Sequence, residues 1–367
     1  MIKASSYIVW KGIVGMSKIA IVGVHNLHLM QFLYKYTDIL DSRGISYDVL
    51  YWDRDMDSSI KYKTFSGNKI AYRYKMSNYQ PKWKKVKGFI GCIKFFCKII
   101  RDKKYDHIIL LTTQTALPVY ILSKTVRNSK YIFDYRDLTY EQNSICKKII
   151  KKIITESQFT AISSMGFKKV LGESNKFVVS HNVSNLKMEF LPKQQNQNIR
   201  IVFWGMIRQV EWNKKICDVF GNVPGIELVY RGEGHTEELK EYCEKYQNIT
   251  FTGRYTTDQI SSFAEQTDVL LNLYANDAQQ KLAMTVKLYD AIRYGLPMLI
   301  SKGSYMAEIM ETNKYAYITD IDNFDFEKFI KWYQSLNLKS YPYEKEYIEI
   351  KDDDQYFEQR LLQFIKE

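Results

Sequence analysis

The stretch IRIVFWGMIRQVEWNKKICDVFGNVPGIELVYRG (199–232) opens on one apolar run, IRIVFWG (199–205), and closes on another, IELVYRG (226–232). Both are rich in β-branched and aromatic residues and both end on glycine, with a helical pattern between them. A strand, a helix and a second strand in this order mean a crossover between parallel neighbours. The alternation continues with ITFTG (249–253), DVLLNLY (268–274), LPMLIS (296–301) and YAYIT (315–319). Helical patterns such as TEELKEYCEKY (236–246) and TDQISSFAEQ (257–266) separate these runs. The first half repeats it in KIAIVGV (18–24), SYDVLYW (46–52), HIILLTT (107–113), KYIFDY (130–135), FTAIS (159–163) and KFVVS (176–180). The polar, aperiodic LPKQQNQN (191–198) reads as the linker. The expected fold is therefore α/β: two Rossmann-like, doubly wound parallel-sheet domains facing each other across a cleft. The domains span 17–190 and 197–345. Residues 346–367 form a terminal helix with an acidic start, and residues 1–16 are an extension outside the fold, or a misassigned start.

Of the 367 residues, 46% are hydrophobic and 26% charged, which is globular and excludes disorder as the main state. The most apolar stretch, 107–123, carries His, Gln, several Thr/Ser and a Pro, too polar for a membrane span. No secretory signal is visible. The five cysteines (92, 97, 146, 217, 243) are scattered without a C-x-x-C pair, and the five histidines are dispersed. This argues for free thiols in a reducing cytoplasm and against a zinc site. Charge is divided unevenly. Residues 1–190 hold 32 basic and 14 acidic side chains, a net of +18, whereas 191–367 hold 21 and 27, a net of −6. The first half thus faces an anionic partner.

In a doubly wound sheet, ligands bind beyond the carboxyl ends of the strands. In the second half the window TVKLYDAIRYGLP (285–297) reads as a helix with Thr285 as N-cap, Gly295 past its end and Pro297 beyond. Free N–H groups at its start, with Lys287 in the first turn, make a site for a diphosphate. Asp290, one turn on, is placed to accept from a sugar hydroxyl such as a ribose diol. A capped surface helix with a Lys–Asp pair three residues apart fits the same window. Gly205, Gly232 and Gly253 close three strands, where missing side chains would let a ligand reach the backbone. Arg208 comes shortly after the first, and Arg254 and Tyr255 come directly after the third.

The order FWGMIR (203–208), LVYRGEG (228–234), ITFTGRY (249–255), VLLNLY (269–274) and VKLYDAIRYGLPMLIS (286–301) resembles the donor domain of two-Rossmann (GT-B) glycosyltransferases. The likeness is greatest to retaining family 4, of the capsular and O-antigen polysaccharide type. Weaker acceptor-domain matches are KIAIVGVHNLHLMQFL, YIFDYRDL (131–138), FTAISSMGFKKVL (159–171) and VVSHNV (178–183). The resemblance implies a terminal helix crossing back to the first domain. It implies that Arg208 and Lys287 contact the donor diphosphate, with Gly205, Gly232, Arg254, Tyr255 and Thr285 around it. It puts Asp290 where the family usually has a ribose-binding Glu. The chain departs from the pattern at Leu282, eight residues earlier, where the family often has a sugar-contacting Glu. Its nearest lysines after Arg208 are Lys214 and Lys215, shifted from the family's position.

The activity implied by the resemblance is transfer of a sugar from a nucleotide donor to a hydroxyl of a surface glycan, expected on a polyprenyl-diphosphate lipid. Stabilising the departing diphosphate and positioning the acceptor are the main tasks. No cofactor or metal is expected, in line with the small number of histidines, five in the whole chain. Asp53-Arg54-Asp55 lies just after a first-half strand and reads as a solvated loop. Asp137 is either a base near the acceptor or the partner of Arg136; Gly23, His25, Asn26 and Arg136 are acceptor-side candidates, though a turn or core histidine fits as well. The basic segments 81–104 and 145–154 carry apolar stripes, Phe89, Ile93, Phe96 and Ile100 in the first. They read as interfacial helices on the anionic inner face of the plasma membrane, or as packed helices with lysines outward. No nucleic-acid motif appears. The rival readings are a sugar-nucleotide epimerase on the same architecture and a degenerate, non-catalytic binding module.

Overall fold

The computed structural model describes residues 18–57, 59–77 and 80–367, so the expected extension 1–16 lies outside them. The first sheet has seven strands: β1 (Ile19–Gly23), β2 (Tyr47–Asp53), β3 (Asn68–Arg73), β4 (His107–Leu111), β5 (Lys130–Tyr135), β6 (Thr160–Ile162) and β7 (Phe177–Val179). Their order is β3-β2-β1-β4-β5-β6-β7. The second has six: β8 (Ile199–Trp204), β9 (Ile226–Arg231), β10 (Ile249–Phe251), β11 (Val269–Asn272), β12 (Met298–Ser301) and β13 (Ala316–Thr319), in the order β10-β9-β8-β11-β12-β13. Pairing is parallel, with Ile19 opposite Tyr47 and His107, and Ile201 opposite Leu228 and Val269. Strands β1, β4, β8 and β11 are buried on both faces, which explains their unbroken apolar runs. Each sheet reverses its winding once, between β1 and β4 and between β8 and β11, and these are the switch points where α/β sheets bind ligands.

The two Rossmann-like sheets are those expected. One strand was not: β3 is an edge strand, half of whose residues are exposed and none fully buried. The apolar run 107–123 resolves into β4 and the helix Thr113–Leu122, and among the described residues no helix is long and apolar enough to cross a membrane.

Compact units divide the chain differently from the sheets. Unit 1 comprises residues up to Asp134, Lys152–Thr160 and Arg360–Glu367; unit 2 comprises Tyr135–Lys151 and Ala161–Gln359. The terminal helix Glu344–Lys366 therefore runs from unit 2 into unit 1. There Phe364 sets its ring 4.7 Å from that of His107, edge to face.

Candidate functional site

In unit 2, β8 and β11 end side by side at the switch point. Gly205 comes directly after β8 at φ 131° and Gly232 directly after β9 at φ 144°, both in the region that favours glycine. A Cβ on Gly232 would lie 1.8 Å from the Gly205 carbonyl oxygen. The expectation for Gly232 needs correcting: the room its missing side chain leaves is filled by the neighbouring backbone, not kept for a ligand. Gly205 has a different neighbour. A Cβ there would stand 3.6 Å from the Lys287 ammonium nitrogen.

Lys287 is buried, at 6% exposure, in the first turn of the helix Val286–Tyr294. Its Nζ lies 4.0 Å from the centre of the Phe203 ring and 5.0 Å from that of Tyr274, and donates to the Tyr274 hydroxyl. Among the described residues no carboxylate pairs with it. Aromatic faces and one hydroxyl compensate a buried ammonium only in part. The same helix start is open. Thr285 occupies the N-cap position, but its hydroxyl donates 2.8 Å to Asn272 Oδ1 and does not cap, contrary to the sequence reading. Among the described residues the amides of Val286 and Lys287 have no acceptor. Ammonium and free amides together are an anion site. A narrow crevice lined by Asn272, Tyr274, Asn276, Gln280, Thr285 and Ser301 opens beside it.

Asp290, one turn along, accepts from Trp204 Nε1 at 2.8 Å. Burial pushes its carboxyl above the usual range, against the pull of that bond and of the Arg293 and Lys287 charges. Tyr255 lies close enough to feel its charge; burial first, then Asp290, pushes the phenol up to about 12. Arg208 is exposed, and among the described residues its guanidinium has no partner. Its loop is tied down by the next residue: Gln209 Oε1 accepts from the Ala275 amide at 3.1 Å and Nε2 donates to Asp277 at 2.8 Å. Arg254 is largely exposed and lies 3.8 Å from Glu233. Lys214 pairs with Glu211 and Glu238, and Lys215 with Asp322.

Sequence reasoning missed Phe203, Tyr274 and Gln209. Tyr274 had a signal, since it ends DVLLNLY just as Gly205 ends IRIVFWG. Leu282, at the position where the resemblance suggests Glu, is buried, and its carbonyl accepts from the Ser164 hydroxyl at 2.5 Å.

Asp137 also belongs to unit 2. Its carboxylate accepts from Gln279 Nε2 at 2.7 Å, and Gln279 Oε1 accepts from the Leu138 amide at 2.8 Å. The segment carrying Gln279 leads directly into Thr285. Arg136 is buried, donating to the Ser180 carbonyl at 2.7 Å, the Ser180 hydroxyl at 2.9 Å and Asn182 at 3.0 Å. These bonds make it a brace for the chain after β7. In unit 1, Gly23 makes room for Met30, whose sulfur would meet a Cβ at 2.5 Å. His25 Nδ1 is buried with no hydrogen-bond partner among the described residues; burial and the Arg54 charge lower its imidazole to about 4, against the pull of Gln114. Asn26 donates to Asp55 at 2.8 Å and accepts from the Arg54 amide at 2.7 Å. The Asp-Arg-Asp stretch is thus more than a solvated loop. Arg54 turns inward onto the Val24 carbonyl, while Asp53 and Asp55 line a cavity of about 410 Å³ with His28, Tyr51, Tyr62 and Arg73.

No protein-family model matches the chain, and no curated protein matches its sequence. Solved structures do match its fold. The sucrose-phosphate synthase of Thermosynechococcus elongatus superposes with a TM-score of 0.69 at 12% identity, over 95% of this chain and 97% of its own. Anabaena Alr3699/HepE in complex with UDP-glucose gives 0.60 at 12%, over 95% and 97%. The lipopolysaccharide outer core galactosyltransferase WaaB gives 0.58 at 14%, over 88% and 90%. The chain has the two-Rossmann fold of the GT-B glycosyltransferases.

Proposed function

We propose that this protein transfers a glycosyl group from a nucleotide sugar to a hydroxyl of a glycan acceptor. The carrying observation is the Lys287 ammonium, buried against Phe203 and Tyr274 with no carboxylate in ion-pair contact among the described residues, beside two helix amides that have no acceptor there. This is a place prepared for a diphosphate. The HepE complex with UDP-glucose, on the same fold, supports the choice of donor class.

In the reaction the bond from the anomeric carbon to the β-phosphate oxygen breaks, and charge grows on the departing diphosphate. Lys287, the amides of Val286 and Lys287, and Arg208 meet that charge. Asp290, with Tyr255 beside it, holds the ribose. The acceptor hydroxyl bonds to the anomeric carbon, and its proton passes to a phosphate oxygen in a retaining transfer, without a metal or other cofactor. Asp137, tied through Gln279 to the segment before Thr285, is the group that would take the proton in an inverting one. The acceptor is proposed to be a surface glycan growing on a polyprenyl diphosphate, handled by the basic half at the inner face of the plasma membrane. His25, Asn26 and the cavity beside them would hold its sugar.

Calorimetry with UDP, GDP, CMP and dTDP and their sugars tests the donor, and the anomeric form of the product tests retention. Transfer that persists in EDTA is expected. Lys287→Ala should weaken nucleoside-diphosphate binding by about 1.5–3 kcal/mol, the range for a charge-assisted contact. Unchanged affinity would remove Lys287 from the site. A fold that binds no nucleotide at all would instead be the degenerate module, to which the buried Leu282 would then point.

A further inference from the structure

The helix Lys82–Lys103 has two apolar faces, and the fold uses one. Cys92, Ile93, Phe96 and Ile100 are buried in unit 1. The expected interfacial stripe is therefore a packing face over most of its length. Close approach explains why: a Cβ on Gly91 would lie 2.2 Å from the Tyr72 hydroxyl oxygen, and one on Gly88 2.8 Å from Met76 Cε. The second face begins with Trp83, Val86 and Ile90, which are 63%, 57% and 46% exposed. Their i, i+3, i+7 spacing puts them on one line along the helix. Lys87, Lys94, Lys98 and Arg101 share that side of the wheel, and Lys82, Lys84 and Lys85 stand around its start. The Lys84 ammonium lies 5.5 Å from the Trp83 ring centre. The first acidic residue of the helix is Asp102, and among the described residues no carboxylate pairs with Lys82, Lys84, Lys87, Lys94 or Lys98.

We propose that this outer stripe docks on an anionic lipid bilayer, with Trp83, Val86 and Ile90 entering the boundary between headgroups and acyl chains. The lysines reach lipid phosphates at the level of the headgroups while their stems lie along the apolar zone. Charge complementarity chooses the occupant. Along its own helix the stripe is flanked by cations and by no acid before Asp102, and it belongs to a half of the chain whose net charge is +18. A surface that is anionic outside and apolar just beneath matches both features at once. The inference is independent of the donor site, because docking needs no nucleotide.

The test uses the full chain and phosphatidylcholine vesicles with and without phosphatidylglycerol. Trp83→Ser, Val86→Ser and Ile90→Ser are combined in one variant, and Lys82, Lys84 and Lys87 are changed to Gln in another. These side chains are largely solvent-facing, so both variants should melt with the parent. Wild type should co-sediment with anionic vesicles and not with neutral ones, and each variant should bind about tenfold more weakly or worse. Brominated lipid should quench wild-type emission, and Trp83→Phe should lose that quenching. Equal binding by the first variant, equal binding to neutral vesicles, or no quenching traceable to Trp83 would overturn the proposal. So would a self-associating wild type that becomes monomeric in the first variant and never binds vesicles. Since nucleotide binding is measured separately, failure here and failure of the donor reading are distinguishable.

Discussion

Lys287 carries a charge that two aromatic faces, one hydroxyl and the more distant Asp290 compensate only in part, and that has a cost. Replacing a buried, incompletely compensated ion with an apolar group of similar length often stabilises a protein. Lys287→Met should therefore raise stability by about 1 kcal/mol or more while weakening diphosphate binding, both read from melts with and without UDP. A lower melting temperature without ligand would mean that the ammonium is a structural group. Gly232 makes the opposite prediction. Its positive φ and the Gly205 carbonyl beside it leave no space, so Gly232→Ala should cost about 3 kcal/mol or more by denaturant titration. His25 gives a pH signature. Its imidazole falls to about 4 in the fold from an ordinary 6.5. Between those values the unfolded chain binds the proton and the folded chain does not, so stability falls as pH drops through that window. His25→Gln should flatten this part of the profile by on the order of 1–2 kcal/mol, allowing for the residue's partial exposure. Parallel profiles for both proteins would show that His25 does not titrate differently on folding.

Among the elements, the terminal helix bears the clearest burden. Its last turns belong to unit 1, where Leu361 and Phe364 are buried. Phe364→Ala should cost about 3–5 kcal/mol, as emptied aromatic core sites do; a loss under about 1 kcal/mol would mean that the helix end is only loosely held. Most elements were legible because both sheets are buried on two faces, so their strands are plain apolar runs. β3 was not, because an edge strand that is half exposed, NKIAYR, shows neither an apolar run nor clean alternation. The site was legible to a similar degree and for similar reasons. Lys287, Asp290 and Arg208 are found from strand ends and a helix start. The aromatic box of Phe203 and Tyr274, the Gln209 tether and the failure of Thr285 to cap depend on which strands lie side by side. Local pattern carries no such information. The second apolar face of Lys82–Lys103 was hidden differently: the periodicity of the buried stripe dominates the segment.

At the scale of the whole molecule, the chain passes between the two compact units four times, at 134–135, 151–152, 160–161 and 359–360. Two of these passages fall inside the helices Ser144–Glu156 and Glu344–Lys366, and two inside the strands β5 and β6. An element shared in this way cannot keep its hydrogen bonds in one unit while melting in the other. Each unit has a core of its own, yet unfolding one should carry the other with it. Scanning calorimetry should therefore show a single transition. Saturating UDP, at the site proposed in unit 2, should move that transition as a whole, by the equivalent of about 2.7 kcal/mol at a ligand concentration 100 times Kd. Two resolved transitions, with only the upper one responding to UDP, would show that the shared helices fray at their crossing points.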